Sequence, residues 1–176
     1  PFCTGLCSEG RALAKGAVAV LLRLCGLLGQ GVGGVAEQKV HPRCGLFPAA
    51  RAVLQAVGEM GLEQAIVSAS HQQALDSQVE EQGLGGFFQA RLGISDIYAG
   101  SKAGLAQRYL ESQGVPPEQA LLIGDTLHDW EVAQEAGCPC VLLAQGHQSR
   151  ARLETAGVPV LESLAQVPAF LRGLQA

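Results

Sequence analysis

The sequence predicts a three-layer α/β fold, a parallel sheet with helices on both faces. Three observations carry that expectation. From Gly45 onward, short apolar runs alternate with longer amphipathic stretches, the pattern of strand–helix–strand units. The runs at 121–123 and 140–143 have no polar alternation, as strands covered on both faces should. Gly61, Gly83, Gly114, Gly137 and Gly157 follow the amphipathic stretches, where a glycine closes a helix.

The elements follow in order. A helix is expected over 48–60, with Pro48 near its start and Ala49, Val53, Ala56 and Val57 as its apolar stripe. A strand at 62–67, a helix at 72–82 and a short strand at 87–92 come next. Lys102 opens a helix that runs to Gln113, and Pro116-Pro117 forbid its continuation. The rhythm then tightens: strand 120–123, helix 127–136, strand 140–143, helix 148–156, strand 158–161 and a last helix over 163–174.

Composition bounds what such a fold does. The chain has 176 residues, 48% hydrophobic and 16% charged, with mean hydropathy +0.21. It is long enough to bury a core without staples and too apolar to be disordered. A net charge of −4 and 5% aromatic residues give no basis for a nucleic-acid partner. The six cysteines are scattered, and neither Cys3 with Cys7 nor Cys138 with Cys140 completes a zinc site, so they read as thiols of a reducing cytoplasm. The most apolar run, 17–28, is interrupted by Arg23 and too short to span a membrane or serve as a clean signal peptide. A cytoplasmic protein with no membrane partner is expected.

Residues 1–45 differ in kind. They hold four of the six cysteines and nine of the 23 glycines, but no Asp and no Ile. A degenerate first strand, a cap remnant or disordered arm, and a misframed stretch all fit. The chain starts at Pro1 rather than Met, which suggests part of a longer gene product. Residues 29–34 fit G-x-G-x-x-G, but the acidic residues next downstream are all Glu and no second nucleotide-binding half follows, so a dinucleotide site is set aside.

Open parallel sheets bind ligands beyond the carboxyl ends of their strands. Ser68, Ala69 and Ser70 follow one apolar run; Gly124 and Asp125 follow another, with Asp129 four residues on; Lys102 begins a helix. Two carboxylates with room for water suit Mg²⁺. A hydroxyl, backbone amides and an ammonium suit phosphoryl oxygens. Phosphoryl transfer is the implied reaction class. His128 is expected to be exposed or supporting, Trp130 to pack its helix, and His147 either to touch substrate or to turn the chain.

The run Leu121-Leu122-Ile123-Gly124-Asp125-Thr126-Leu127-His128-Asp129 resembles the GDxxxD motif of haloacid-dehalogenase-superfamily phosphatases. Ile66-Val67-Ser68 resembles the second motif of that family, Lys102 its third-motif lysine, and Leu46-Phe47-Pro48 its re-entry from the cap. The likeness covers about 45–172 and is nearest the phosphoglycolate-phosphatase-like subgroup. It implies a Rossmann-like, haloacid-dehalogenase-like core over 46–176 and an Mg²⁺-dependent phosphoric monoester hydrolase. The substrate would be a small phosphorylated metabolite. Asp125 and Asp129 would hold the metal, Ser68, Ala69 and Lys102 the substrate, and Ser68 and Lys102 would be catalytic.

One required part is missing. The family's first strand ends in DxDGT, whose first Asp is the nucleophile, and this chain has no Asp before Asp76. The apolar profile of 19–26 would put Arg23 at the nucleophile and Cys25 at the acid/base position. A guanidinium cannot attack phosphorus. The chain as given is therefore expected to be inactive, with a non-catalytic binding or scaffold protein as the alternative. Because that strand is central in the family, 17–24 is expected to supply a parallel strand between those ending at Ser68 and Asp125. The sequence leaves the oligomeric state open.

Overall fold

The computed structural model describes residues 19–23, 46–94 and 101–175. Six parallel strands form one sheet: β1 (Ala19–Arg23), β2 (Glu63–His71), β3 (Ala90–Ile94), β4 (Leu121–Gly124), β5 (Cys140–Leu143) and β6 (Val160–Leu161). Their spatial order is β3-β2-β1-β4-β5-β6, all pairs parallel. The helices are α1 (Ala50–Glu59), α2 (Gln72–Glu81), α3 (Lys102–Gln113), α4 (Leu127–Ala136), α5 (Arg150–Leu153) and α6 (Val167–Gln175).

Strand order reverses at β1, and that decides where the helices go. Right-handed crossovers on either side of a reversal place their helices on opposite faces. Accordingly α1, α2 and α6 pack with Ile66, Ile123, Val141 and Leu143 in one apolar cluster. On the other face α3, α4 and α5 pack with Ala65, Val67, Leu122 and Leu142. Successive residues of each strand thus enter different cores, which is why the strands read as unbroken apolar runs.

The expected strand over 17–24 is present as Ala19–Arg23, between β2 and β4. Leu24, Cys25 and the glycine pattern at 29–34 lie outside the described residues.

Several boundaries move. The strand expected to end at Val67 continues to His71, so Ser68, Ala69 and Ser70 lie within β2, where pairing with β3 shifts register between Val67 and His71. The run 87–92 divides into a 3-10 turn at Gly85–Phe87 and β3, because the Phe87 amide bonds back to Leu84. The helix expected over 148–156 is one α-turn followed by a 3-10 turn at Glu154–Ala156. The strand expected over 158–161 is only Val160–Leu161, and a 3-10 turn at Leu164–Gln166 precedes α6. In α1 the buried stripe is Ala50, Val53, Leu54 and Val57, with Ala56 only half-buried.

The helices that carry site residues begin and end as the sequence suggests. Ser101 caps α3 by accepting from the Gly104 amide at 3.2 Å, and Gly114 ends it at φ 65°. Thr126 caps α4, and Gly137 ends it at φ 77°.

Candidate active site

Register places the strand tips. Leu22 of β1 is level with Ile66 on one side and with Ile123 on the other. Two residues further along, Ser68 and Asp125 reach the same height at the carboxyl edge. They are separated by two strand spacings, about 10 Å. The β1 strand ends between them, with Arg23 level with Val67.

Asp125 is fully buried. Its Oδ2 accepts the His147 amide at 2.9 Å and lies 2.6 Å from His147 Nδ1. The neighbouring Gly146 admits no side chain, since a Cβ there would lie 2.6 Å from Asp125 Cγ. Gln148 Oε1 accepts the Leu127 amide at 2.9 Å, pinning the same loop over the start of α4.

Asp129 is an elaborated helix cap. Its Oδ2 accepts the amides of Asp125 and Thr126, both at 3.1 Å, and the Thr126 hydroxyl at 2.8 Å. Thr126 in turn accepts the Asp129 amide at 3.3 Å, a reciprocal capping box. The Asp129 carboxylate fits only because residue 124 is glycine, where a Cβ would lie 2.7 Å from Asp129 Cγ.

Lys102 comes from across the fold. Its side chain is 7% exposed, and Nζ lies 3.5 Å from Asp129 Oδ1. A lysine in the first turn of a helix opposes the helix dipole, and the buried carboxylate offsets that. Two bonds hold α3 against α4: Ser101 Oγ donates to Glu135 Oε1 at 3.1 Å, and Gln107 Nε2 to the Glu135 carbonyl at 2.8 Å.

Ser68 is buried, but its hydroxyl turns back on its own strand. Ser68 Oγ donates to Ser70 Oγ at 3.0 Å and accepts the Ser70 amide at 3.1 Å. Ala69 is exposed. His128 is exposed and contacts Glu131 at 3.1 Å. Trp130 packs, partly buried, in the core beneath α4.

The structure thus gathers Lys102, Asp125 and Asp129 at one edge and sets Ser68 at the same height. His147, left undecided on sequence, is added to the group. Its position just after β5 was a usable signal, because residues following a strand's carboxyl end line such an edge. Gly146 and Gln148 gave none.

A sequence profile of the haloacid dehalogenase-like hydrolases matches residues 30–143. The chain belongs to that family. A phosphoglycolate phosphatase of Pseudomonas savastanoi pv. phaseolicola is 31% identical over 104 residues, 58% of this chain and 38% of that one. A phosphoserine phosphatase of Streptomyces coelicolor is 28% identical over 72% of this chain and 33% of its own length. The chain therefore spans well under half of these curated family members. Among solved structures, an uncharacterized protein from Listeria monocytogenes superposes with TM-score 0.74 at 20% identity, covering 90% of this chain and 98% of that one. A haloacid dehalogenase-like hydrolase from Streptococcus pneumoniae gives 0.66 at 24%, covering 72% and 60%. Both share the fold.

Members of this family suggest a divalent cation, and the side chains here fit one in kind. Asp125 and Asp129 offer hard oxygen ligands on one edge, the donor set Mg²⁺ prefers. They are few, however. Among the described residues no group of three or more His, Cys, Asp or Glu side chains is placed to hold an ion. The two thiols described, Cys138 and Cys140, are free and buried. No helix among the described residues is long and apolar enough to cross a membrane.

Proposed function

We propose that this chain is the core of an Mg²⁺-dependent phosphoric monoester hydrolase, acting on a small phosphorylated metabolite of the phosphoglycolate kind. The observation that carries the reading is the buried Lys102–Asp129 pair at the same sheet edge as Asp125. In this reading Asp125 and Asp129 hold the cation, and Ser68, the Ala69 amide and Lys102 hold the phosphoryl oxygens. Bound there, the cation would neutralise phosphoryl charge. The ammonium of Lys102, held against Asp129, would add a second fixed positive charge for the phosphoryl oxygens.

What the sequence does not supply is the nucleophilic Asp of the family's first motif. No Asp precedes Asp76 in the sequence, and the partner of the Ser68 hydroxyl, Ser70 Oγ, is not a general base. Turnover by the chain as given is therefore expected to be absent, since the covalent intermediate cannot form. That observation favours one alternative, a non-catalytic binding protein that keeps the fold. The partner would still be a small phosphorylated molecule, in the cytoplasm, with neither nucleic acid nor membrane involved.

The two readings separate in one assay. Hydrolysis of p-nitrophenyl phosphate and phosphoglycolate is measured with millimolar Mg²⁺ for the chain as given and for the double variant Arg23→Asp/Cys25→Asp. Turnover gained by the double variant, and lost again with Asp125→Asn, supports a hydrolase core. No gain, with phosphate still bound, supports the binding protein.

A further inference from the structure

His147 meets Asp125 at hydrogen-bond distance, yet neither cation nor phosphoryl chemistry calls for it. Its contact is built from three directions. The His147 amide and ring Nδ1 converge on the same oxygen, Asp125 Oδ2, at 2.9 and 2.6 Å. Gly146 brings the backbone so close that no Cβ fits beside the carboxylate. Gln148 fixes the far side of the loop to the first amide of α4. A loop pinned by its neighbours at both sides, carrying one ring onto one buried oxygen, sets the rotation of that carboxylate. The imidazole itself is half-exposed, so its burial contributes little to the core and its position reflects the contact.

We infer that His147 is a positioning residue for the cation site: its ring holds Asp125 Oδ2 and so fixes which way the carboxylate faces. This rests on the cation reading proposed above. Outer hydrogen bonds of this type orient metal-ligating groups, and their removal typically costs about 10–100-fold in metal affinity. A ring serves better than a longer, flexible donor, because its geometry is set by two torsions.

The test is cation binding rather than turnover. Free Mn²⁺, standing in for Mg²⁺, is titrated by electron paramagnetic resonance at one fixed pH against the wild-type chain, His147→Ala, His147→Phe and His147→Asn. The expected result is Mn²⁺ affinity about tenfold weaker in His147→Ala and His147→Phe. His147→Asn, whose amide N–H can stand near the ring Nδ1, should recover to within about threefold. Metal-free melting temperatures should stay close to wild type, which a merely structural role would not give. His147→Phe keeps the ring without the nitrogen, so the experiment stands even where His147→Ala does not fold. Unchanged or tighter binding in both ring-nitrogen deletions overturns the inference, as does failure of His147→Asn to recover affinity. Wild-type chain that binds no Mn²⁺ overturns the cation reading and this inference with it, whereas wild-type binding with indifferent variants removes this inference alone.

Discussion

Lys102 and Asp129 form a buried ion pair at 3.5 Å across two helices, 27 residues apart in sequence. Neither charge is solvated, and each is positioned by a cap: Ser101 for α3 and Thr126 for α4. The pair ties the ammonium to the element that also holds Asp125 through its own backbone amide. One carboxylate therefore ties the start of α3 to the turn between β4 and α4.

Breaking that pair from one side should be costly. Removing one member of a buried pair strands the other charge, at about 3–5 kcal/mol. Asp129 keeps its capping donors, so Lys102→Met is expected near the lower end. Urea denaturation of Lys102→Met, Asp129→Asn and the double variant checks this, and the double loss should be smaller than the sum of the singles.

The glycine beside Asp125 should be irreplaceable. Gly146→Ala puts a Cβ against the carboxylate and must move either the loop or Asp125. Overpacking of this kind costs about 1–3 kcal/mol. A melting temperature several degrees below wild type is expected, and an unchanged one would mean the loop yields freely.

Thr126→Ala removes a cap hydroxyl that both donates to and accepts from Asp129. A loss of about 1 kcal/mol is expected by chemical denaturation, with Thr126→Ser nearly neutral.

Alkaline pH should weaken the fold through its thiols. Burial pushes the Cys138 thiol up from 9.0 to about 11. Cys140 is raised further still, by burial first and then by the charges of Asp129 and Cys138. Tyr109 moves up too, through burial and then Glu63. The folded chain thus holds these protons more tightly than the unfolded one. The Cys138 contribution is complete below pH 9 and is lost as pH rises toward 11. Unfolding free energy should fall over that window, less steeply in Cys138→Ala.

Cation binding by the chain as given should be weak. With two carboxylates and no group of three or more His, Cys, Asp or Glu among the described residues, a bound Mg²⁺ would keep most of its waters. Differential scanning fluorimetry at about 10 mM Mg²⁺ should show a rise of no more than a degree or two, since stabilisation grows only as the logarithm of ligand over Kd. Asp125→Asn should abolish it.

Much of this molecule was legible in its residues. Helices α3 and α4 stand where the expected ones did, Lys102–Gln113 and Leu127–Ala136, because capping residues and closing glycines act within one turn of the chain. The covered strands were equally clear, since a strand buried on both faces must be apolar throughout. Ser68, Lys102, Asp125 and Asp129 could be singled out because sheet topology sends strand tips and certain helix starts to one edge. Only the tertiary structure decided what those groups do to one another. Sequence offered Asp129 as a ligand, and the fold adds its bonds to the Asp125 and Thr126 amides and its contact with Lys102. Sequence left His147 undecided, and the loop after β5 laid it on Asp125. Ser68 read as lying past a strand's end, yet β2 runs on and turns its hydroxyl toward Ser70. Local signals fix elements because they act over three or four residues. Contacts among Lys102, Asp125, Asp129 and His147 join three segments far apart in the chain, and packing alone sets their distances.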